Sequence, residues 1–177
     1  MDGGGPEGKL QEQINEAFLE AAGKGRTETV QMLLDQGADV HARDDDALRT
    51  AAAMGHTETV RMLLDHGANV HAAEEISLFV AATRGHLETV RVLLDFGADI
   101  RACGDEVLSW TAGEGHTEVV KMLLDAGANV HARGDEALSF AAEKGHTDTV
   151  AILEAAMQRQ PPGQYNRASF SGKQKKD

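Results

Sequence analysis

The sequence predicts an all-α solenoid of about five stacked helix–turn–helix repeats, joined by short connecting fingers. The first observation behind this prediction is the motif Gly-His-Thr-Glu-Thr-Val at 55–60, which recurs with a 30-residue spacing at 85–90, 115–120 and 145–150. A weaker copy stands at 25–30, and no insertion or deletion interrupts the spacing. The second observation is the composition: the chain is 41% hydrophobic but only 4% aromatic, which indicates a core of small aliphatic side chains.

Taken in order, the chain begins with the Gly-rich residues 1–9, which are predicted to be a flexible leader. From Leu10 to Ala22 apolar residues recur at helical spacing, which predicts the first helix. The predicted repeat array covers 10–157, with units at 15–44, 45–74, 75–104, 105–134 and 135–157. Its last helix is expected to end between Met157 and Gln160, before two prolines. Residues 158–177 are predicted to be a disordered basic tail.

The unit at 45–74 illustrates how each repeat is predicted to fold. Asp45 is a candidate N-cap for the first, inner helix of the unit. Gly55 ends that helix, and Thr57, with an acid beside it, is expected to cap the second, outer helix. Gly67 suits the left-handed position that follows a helix C-terminus. The residues after it are predicted to form a short extended link to the next unit.

The run at 55–72, Gly-His-Thr-Glu-Thr-Val-Arg-Met-Leu-Leu-Asp-His-Gly-Ala-Asn-Val-His-Ala, resembles the turn, outer helix and lead-out of ankyrin repeats. The resemblance covers 15–157 as five helix pairs. The period of 30 residues departs from the usual period of about 33, and 46–51 contain Asp-Ala-Leu-Arg-Thr-Ala where the family has Thr-Pro-Leu-His-x-Ala. The difference falls in the hairpin finger, so short fingers are expected. The resemblance implies a concave protein-binding surface and identifies no partner.

The distribution of charge limits the classes of partner. The net charge is −12, and because 158–177 contain five Lys or Arg against one Asp, a net +4, the remainder carries −16. Because this body is acidic, it repels nucleic-acid phosphates and anionic membrane surfaces, and neither is expected to be its partner. No apolar run approaches the roughly 18 residues of a membrane-spanning helix. The single cysteine, Cys103, fits a reducing compartment, and a soluble cytoplasmic monomer is expected.

The chain has eight histidines, which raise the question of a metal site. Equivalent residues of stacked repeats lie about 8–10 Å apart, whereas two ligands of one zinc ion must each lie within about 2.0–2.1 Å of it. The histidines are therefore expected to hydrogen-bond turns within each repeat, and no metal or other cofactor is predicted. Catalytic motifs of the Gly-x-Ser-x-Gly, phosphate-loop and His-Glu-x-x-His types are absent from the sequence, so no catalytic residue and no enzyme activity are predicted.

Acidic residues recur just before each inner helix. Their main interpretation is helix capping, but stacking would also align them as an acidic ridge along the fingers that steers a basic partner. The candidate residues of this acidic ridge are Asp44, Asp45, Asp46, Glu74, Glu75, Asp105, Glu106, Asp135 and Glu136. Only the second interpretation predicts strongly salt-dependent association.

Several positions of the inner helix differ from repeat to repeat, and these are the candidates for partner contact. The candidate partner-binding residues are Arg49, Met54, Phe79, Arg84, Trp110, Glu114, Phe140 and Lys144. Two interpretations stay open for Trp110 and Phe140. They either pack between repeats, as buried aromatic residues do, or anchor a partner, as exposed aromatic residues do at interfaces.

The sequence thus predicts a non-enzymatic scaffold that binds a protein or peptide on its concave and finger surface. The acidic body favours a basic partner and binding that weakens at high salt. One alternative stays open, in which the array is a passive spacer or targeting module and the basic tail at 158–177 carries the interaction.

Overall fold

The structure, a computed structural model, describes residues 6–103 and 106–160, and in these ranges the chain forms ten α-helices. They are α1 (Pro6–Gly23), α2 (Thr27–Asp35), α3 (Ala42–Ala53), α4 (Thr57–Asp65), α5 (Ala72–Thr83), α6 (Leu87–Asp95), α7 (Glu106–Gly113), α8 (Thr117–Asp125), α9 (Glu136–Glu143) and α10 (Thr147–Arg159). The odd-numbered helices are the inner helices and the even-numbered ones are the outer helices. Each helix packs against its partner in the pair and against its counterpart in the neighbouring repeat. The predicted helix–turn–helix solenoid is confirmed.

The hydrophobic core runs along the array between the inner and outer helices. Each repeat contributes large side chains at fixed positions, and those that are at most 2% exposed include Phe18, Leu48, Leu63, Leu78, Leu93, Leu108, Leu123 and Leu153. The rest of the core is mostly alanine and valine, which allows the helices to approach closely. Burying a leucine side chain contributes about 1.5–3 kcal/mol, so the regular column of leucines accounts for a large share of the stability.

The Gly-His turn between inner and outer helix connects each repeat to the one before it. Gly55 has a φ of 71°, and a Cβ there would lie 2.5 Å from Nδ1 of His86. Nε2 of His86 in turn donates to the carbonyl oxygen of Ala53, 3.0 Å away at the end of the preceding inner helix. The same bond joins His56 to Gly23 (3.1 Å) and His146 to Gly113 (3.0 Å). The expectation of bonds within each repeat is wrong here, because the acceptors are the orphan carbonyls that end the neighbouring helix.

Pairs of threonine hydroxyls make a second link between successive outer helices. The Oγ1 atoms of Thr57 and Thr89 lie 2.9 Å apart, and the same contact joins Thr27 to Thr59 (2.9 Å) and Thr117 to Thr149 (2.8 Å). The cap predicted at Thr57 is therefore wrong: His56 holds the N-cap position, and the threonine hydroxyl faces the next repeat. At the junction of the third and fourth repeats, the corresponding positions hold Leu87 and Val119.

The finger between an outer helix and the next inner helix is a left-handed turn rather than the predicted extended link. Arg43, Asp44 and Asp45 have φ values of 54°, 60° and 57°, and 73–75 and 133–135 also have positive φ throughout. A left-handed conformation costs a residue other than glycine about 1–2 kcal/mol. The turn forms because the contacts between repeats offset this cost, and it reverses the chain in few residues, which fits the short period.

Asp45 was predicted to cap the inner helix, and this prediction is wrong. Its carboxylate accepts a hydrogen bond from the backbone N–H of Asn69, near the end of the same unit, at 2.9 Å, and one from Nδ1 of His41, in the preceding unit, at 3.1 Å. Asp135 precedes α9 in a left-handed conformation, and its carboxylate lies 2.8 Å from Nδ1 of His131. A capping residue needs β-region dihedral angles. The left-handed conformation instead directs these carboxylates away from the helix and toward the histidine four residues earlier.

The first helix begins earlier than predicted, at Pro6 instead of Leu10, which removes part of the predicted leader at 1–9. Proline fits the first helical position because its missing N–H has no partner to lose there, and Glu7 adds a favourable charge in the first turn. Residues 1–5, 104–105 and 161–177 lie outside the described residues. The flexibility of the remaining leader and the disorder of the tail stay predictions.

The last helix, α10, ends at Arg159, within the predicted limits and two residues past the predicted end of the array at 157. His131 holds the chain just beyond it, because its Nε2 lies 2.5 Å from the carbonyl oxygen of Gln160. The hydrogen bond with Asp135, together with the bond to Gln160, raises the pKa of His131 above its ordinary value. A protonated imidazole donates to both acceptors at once, so this contact favours the charged form.

Candidate protein-binding surface

The residues that differ between repeats lie on the exposed side of the inner helices, which we call the inner-helix face. It comprises Arg49, Met54, Phe79, Val80, Arg84, Trp110, Glu114, Phe140 and Lys144, each exposed or half-buried. Side-chain contacts across neighbouring repeats connect Met54 with Arg84, Trp110 with Phe140, and Glu114 with Lys144. Six of the eight candidate partner-binding residues predicted from the sequence thus form three contacts between neighbouring repeats.

The aromatic pair of this face is formed by Trp110 and Phe140. Their ring centroids are 6.1 Å apart with an interplanar angle of 68°, an edge-to-face contact that contributes about 0.5–1.5 kcal/mol. Phe140 is half-buried and lies over Gly113, where a Cβ would come within 3.2 Å of the Phe140 Cβ. Trp110 remains 48% exposed. Phe140 therefore packs between the repeats, whereas the Trp110 indole contacts Phe140 and stays about half exposed, and its contact with a partner stays a prediction.

Sequence reasoning missed the part that Gly113 has in this arrangement. Glycine near the end of a helix costs roughly 0.5–1 kcal/mol relative to alanine, and the corresponding positions of the other repeats hold Gly23, Ala53, Thr83 and Glu143. The structure explains the glycine at 113, since a larger side chain would displace Phe140. The signal in the sequence was a glycine at a variable helical position. Phe140, the side chain that needs this glycine, belongs to the next repeat.

The charged residues at the ends of the inner helices differ in their partners. Nζ of Lys144 donates to Glu114 at 2.8 Å, and this hydrogen bond and charge lower the pKa of the Glu114 carboxyl. Arg84 instead donates to the carbonyl oxygen of Ala53 at 2.9 Å and contacts the sulfur of Met54 at 3.9 Å. Within the described residues no carboxylate lies at ion-pair distance from Arg84, so its guanidinium charge is available at the surface.

Three residues of the predicted acidic ridge are not free carboxylates on a ridge. Asp45 and Glu75 are buried, at 4% and 1% exposure, and each accepts a hydrogen bond from the lead-out histidine of the preceding unit, as Glu75 does from Nδ1 of His71. This burial contradicts their place in an exposed ridge. Asp46 is paired with Arg49, which neutralises its charge locally.

The other ridge residues have varied surroundings. Arg133 pairs with both Glu106 and Glu136, at 2.9 Å from Oε2 of the latter, and Asp135 is bound to His131. The remaining three are Asp44 and Glu74, which are exposed, and Asp105, which lies outside the described residues. Most of the ridge is therefore buried or compensated by a neighbouring cation.

The chemistry needed for a metal site or a reactive thiol is not assembled in the part of the chain that the structure describes. No group of three or more His, Cys, Asp or Glu side chains converges there as a metal ion requires. Burial raises the pKa of the Cys103 thiol to about 12, assisted by the nearby charges of Glu75 and Asp99, so the thiolate nucleophile is not formed at neutral pH. None of the described helices is long and apolar enough to cross a membrane.

Stacked helix pairs with a variable, half-apolar inner face define a repeat scaffold with a surface suited to protein contact. Comparison with protein families identifies the scaffold: a family model described as ankyrin repeats (three copies) matches residues 6–74 and 78–158. The chain belongs to the ankyrin repeat family. Ankyrin repeats are generally protein–protein interaction modules. None of the curated proteins compared with the chain matches it.

Proposed function

We propose that this chain is an interaction module that binds a protein or peptide partner on its inner-helix face. The observation that carries the proposal is the indole of Trp110, which is 48% exposed and held in place by Phe140. The repeat itself does not require tryptophan, because the corresponding positions hold Glu20, Thr50 and Val80. Exposed tryptophans are enriched among the few residues that dominate binding energy at protein interfaces.

The other residues of the inner-helix face support the same proposal. Met54 is 53% exposed, Phe79 and Val80 are half-buried, and charged residues border this apolar centre. An apolar centre within a polar rim is the usual anatomy of a protein interface.

We expect the aromatic centre to contribute more to the free energy of partner binding than the acidic ridge does. Truncation of a central interface tryptophan typically costs about 2 kcal/mol or more of binding free energy, whereas an exposed ion pair contributes about 0–1 kcal/mol. The ridge residues that could bind a basic group of a partner are chiefly Asp44 and Glu74, which are exposed and have no ion pair among the described residues. The basic partner predicted from the net charge is therefore a minor part of the proposal.

The proposal is tested by replacing Trp110 with alanine and comparing two properties. We expect the unfolding free energy to fall by only about 1 kcal/mol, because the lost contact is one aromatic edge, and the amount of partner captured from cell extract to fall at least tenfold. Leu108→Ala, in the buried core of the same helix, marks the contrasting case and should cost about 2–5 kcal/mol. Met32→Ala, at an exposed position of α2, is the control for a surface apolar residue and should leave capture unchanged.

Two results would count against the proposal. One is a Trp110→Ala variant that loses as much stability as Leu108→Ala and still captures its partners. The other is loss of capture when 161–177 are deleted, with Trp110→Ala neutral, which would transfer the interaction to the basic tail.

A further inference from the structure

We infer that the partner segment bound by the inner-helix face carries an apolar side chain close to an acidic one, with the apolar group against Trp110 and the carboxylate on Arg84. This inference rests on the proposed function and adds the chemistry of the partner.

The first argument is that Arg84 is the cation of this face that the chain leaves without a counter-charge. The other two cations of the inner-helix face are ion-paired in the described structure, Arg49 with Asp46 and Lys144 with Glu114. Arg84 uses one nitrogen for the carbonyl oxygen of Ala53 at 2.9 Å. A guanidinium has five N–H donors in a planar fork, so donors remain for a carboxylate of a partner.

The second argument is that the nearest acid of the same row is already occupied. Arg84, Glu114 and Lys144 stand at the same position of three successive inner helices, so Glu114 lies between the two cations. Its carboxylate accepts a hydrogen bond from Lys144 at 2.8 Å. Lys144 thereby holds Glu114 away from Arg84, and the local charge beside Trp110 is positive on the side of Arg84.

The net charge of −12 would repel an acidic segment, and distance decides how much this matters. The outer-helix acids are separated from the inner-helix face by one helix layer of about 8–10 Å, which is as long as the Debye length of about 8 Å at physiological ionic strength. Arg84 would touch the carboxylate directly. A hydrogen bond to a charged group changes affinity by roughly ten- to hundredfold, so the contact outweighs the screened repulsion.

The positions of the two residues also predict the spacing of the two groups in the partner. Trp110 lies four residues before Glu114 in sequence, and Arg84 occupies the position of Glu114 on the neighbouring helix. A helix rise of about 6 Å over four residues and an interaxial distance of about 9 Å place the two positions roughly 11 Å apart. An extended peptide advances about 3.3 Å per residue, and both side chains reach outward, so the acid should lie two to four residues from the apolar group.

The experiment is selection of a phage-displayed library of random 12-residue peptides on the purified full-length chain, followed by affinity measurements with labelled synthetic peptides. Selected peptides should contain an aromatic or large aliphatic residue with Asp or Glu two to four residues away. Their affinity should fall at least tenfold for Trp110→Ala and for Arg84→Gln, and further for Arg84→Glu. Arg91→Gln, at an arginine of the outer helix α6 that is paired with Glu88, is the matched control and should have no effect.

A second variant tests the part assigned to Lys144. Lys144→Met removes the cation that holds Glu114, so Glu114 becomes free to pair with Arg84 or to repel the incoming carboxylate. The affinity for the selected peptides should fall several-fold, and an unchanged affinity would contradict this part of the argument. Thermal melting of each variant, followed by circular dichroism, separates loss of binding from loss of folding.

The outcomes distinguish the inference from the function on which it rests. Peptides that require Trp110 but bind Arg84→Gln as well as the parent chain, or that are enriched in Lys and Arg, overturn the acidic partner and leave the binding surface in place. Peptides that are insensitive to both variants, or a library that yields no binder, overturn the proposed surface together with the inference.

Discussion

The junction between the third and fourth repeats can be converted to the chemistry of its neighbours, and the result tests how the repeats are held together. At the other junctions two threonine hydroxyls face each other, as those of Thr57 and Thr89 do at 2.9 Å. Here the same positions hold Val119, which is buried in the hydrophobic core, and Leu87, which is partly buried and packs against it. We expect Leu87→Thr and Val119→Thr each to destabilise the protein, and the double variant to recover part of the loss.

The magnitudes follow from the burial of the two residues. Val119 is 2% exposed, so Val119→Thr buries a hydroxyl opposite a leucine, and a buried hydroxyl without a partner costs about 1–3 kcal/mol. Leu87 is half-buried, and Leu87→Thr removes apolar groups that contribute about 0.8 kcal/mol each when fully buried, so about 1 kcal/mol is expected. In the double variant the two hydroxyls satisfy each other, which predicts a favourable coupling energy of about 1–2 kcal/mol.

The assay is urea denaturation of the parent chain, the two single variants and the double variant, followed by far-UV circular dichroism. The coupling energy is the difference between the double variant and the sum of the single variants. Additivity within about 0.5 kcal/mol would refute the argument, because it would mean that the two positions do not interact. The reciprocal pair, Thr57→Leu with Thr89→Val, introduces the apolar contact at a threonine junction and should show coupling of the same sign.

Two further predictions concern the turn glycines and the end of the array. Alanine at Gly115 (φ 74°) would place its Cβ 2.5 Å from the histidine ring of the next repeat, whereas at Gly145 (φ 76°) no described atom lies within 4 Å. Gly115→Ala should therefore destabilise by about 1–3 kcal/mol more than Gly145→Ala in urea denaturation, and equal losses would contradict the close contact. The raised pKa of His131 predicts stabilisation that is fully present below the unfolded-state pKa of about 6.5 and is lost as pH rises through the folded-state pKa. Its imidazole should titrate above the ordinary value by NMR, and His131→Gln should abolish this component of the pH dependence of the melting temperature.

The arrangement of helices is predictable from this sequence because every local signal recurs in one register. A glycine, a leucine or a helix start that is ambiguous in a single repeat becomes specific when the same residue returns at the same spacing. The conformation of the finger is different, because left-handed dihedral angles at residues such as Asp44 and Glu74 oppose their intrinsic preference. Contacts between repeats impose this conformation, and local propensity does not reveal it.

The partners of polar side chains could not be predicted from local sequence, because they lie far along the chain, in the same unit for Asp45 and in the next unit for Thr57. Asp45 and Thr57 both stand where a cap would stand, and in an isolated helix pair capping would be their best contact. In the array, Asn69 and Thr89 offer better geometry. For the same reason, the sequence did not predict which side chains of the inner-helix face are exposed. A position about 200° from the core leucine is buried or exposed depending on the side chain that the neighbouring repeat provides.

A residue that differs from the repeat pattern costs stability unless a contacting residue of the neighbouring repeat differs as well. Differences that are matched in this way have a structural explanation, and unmatched ones need another. Leu87 is matched by Val119, and Phe140 by a glycine that makes room for it. Trp110 and Arg84 are matched only in part among the described residues: Phe140 contacts the indole, which stays 48% exposed, and Arg84 donates to the carbonyl oxygen of Ala53 but has no carboxylate at ion-pair distance. The partner segment that we propose would account for both the exposed indole and the uncompensated guanidinium, because the two side chains belong to the same inner-helix face.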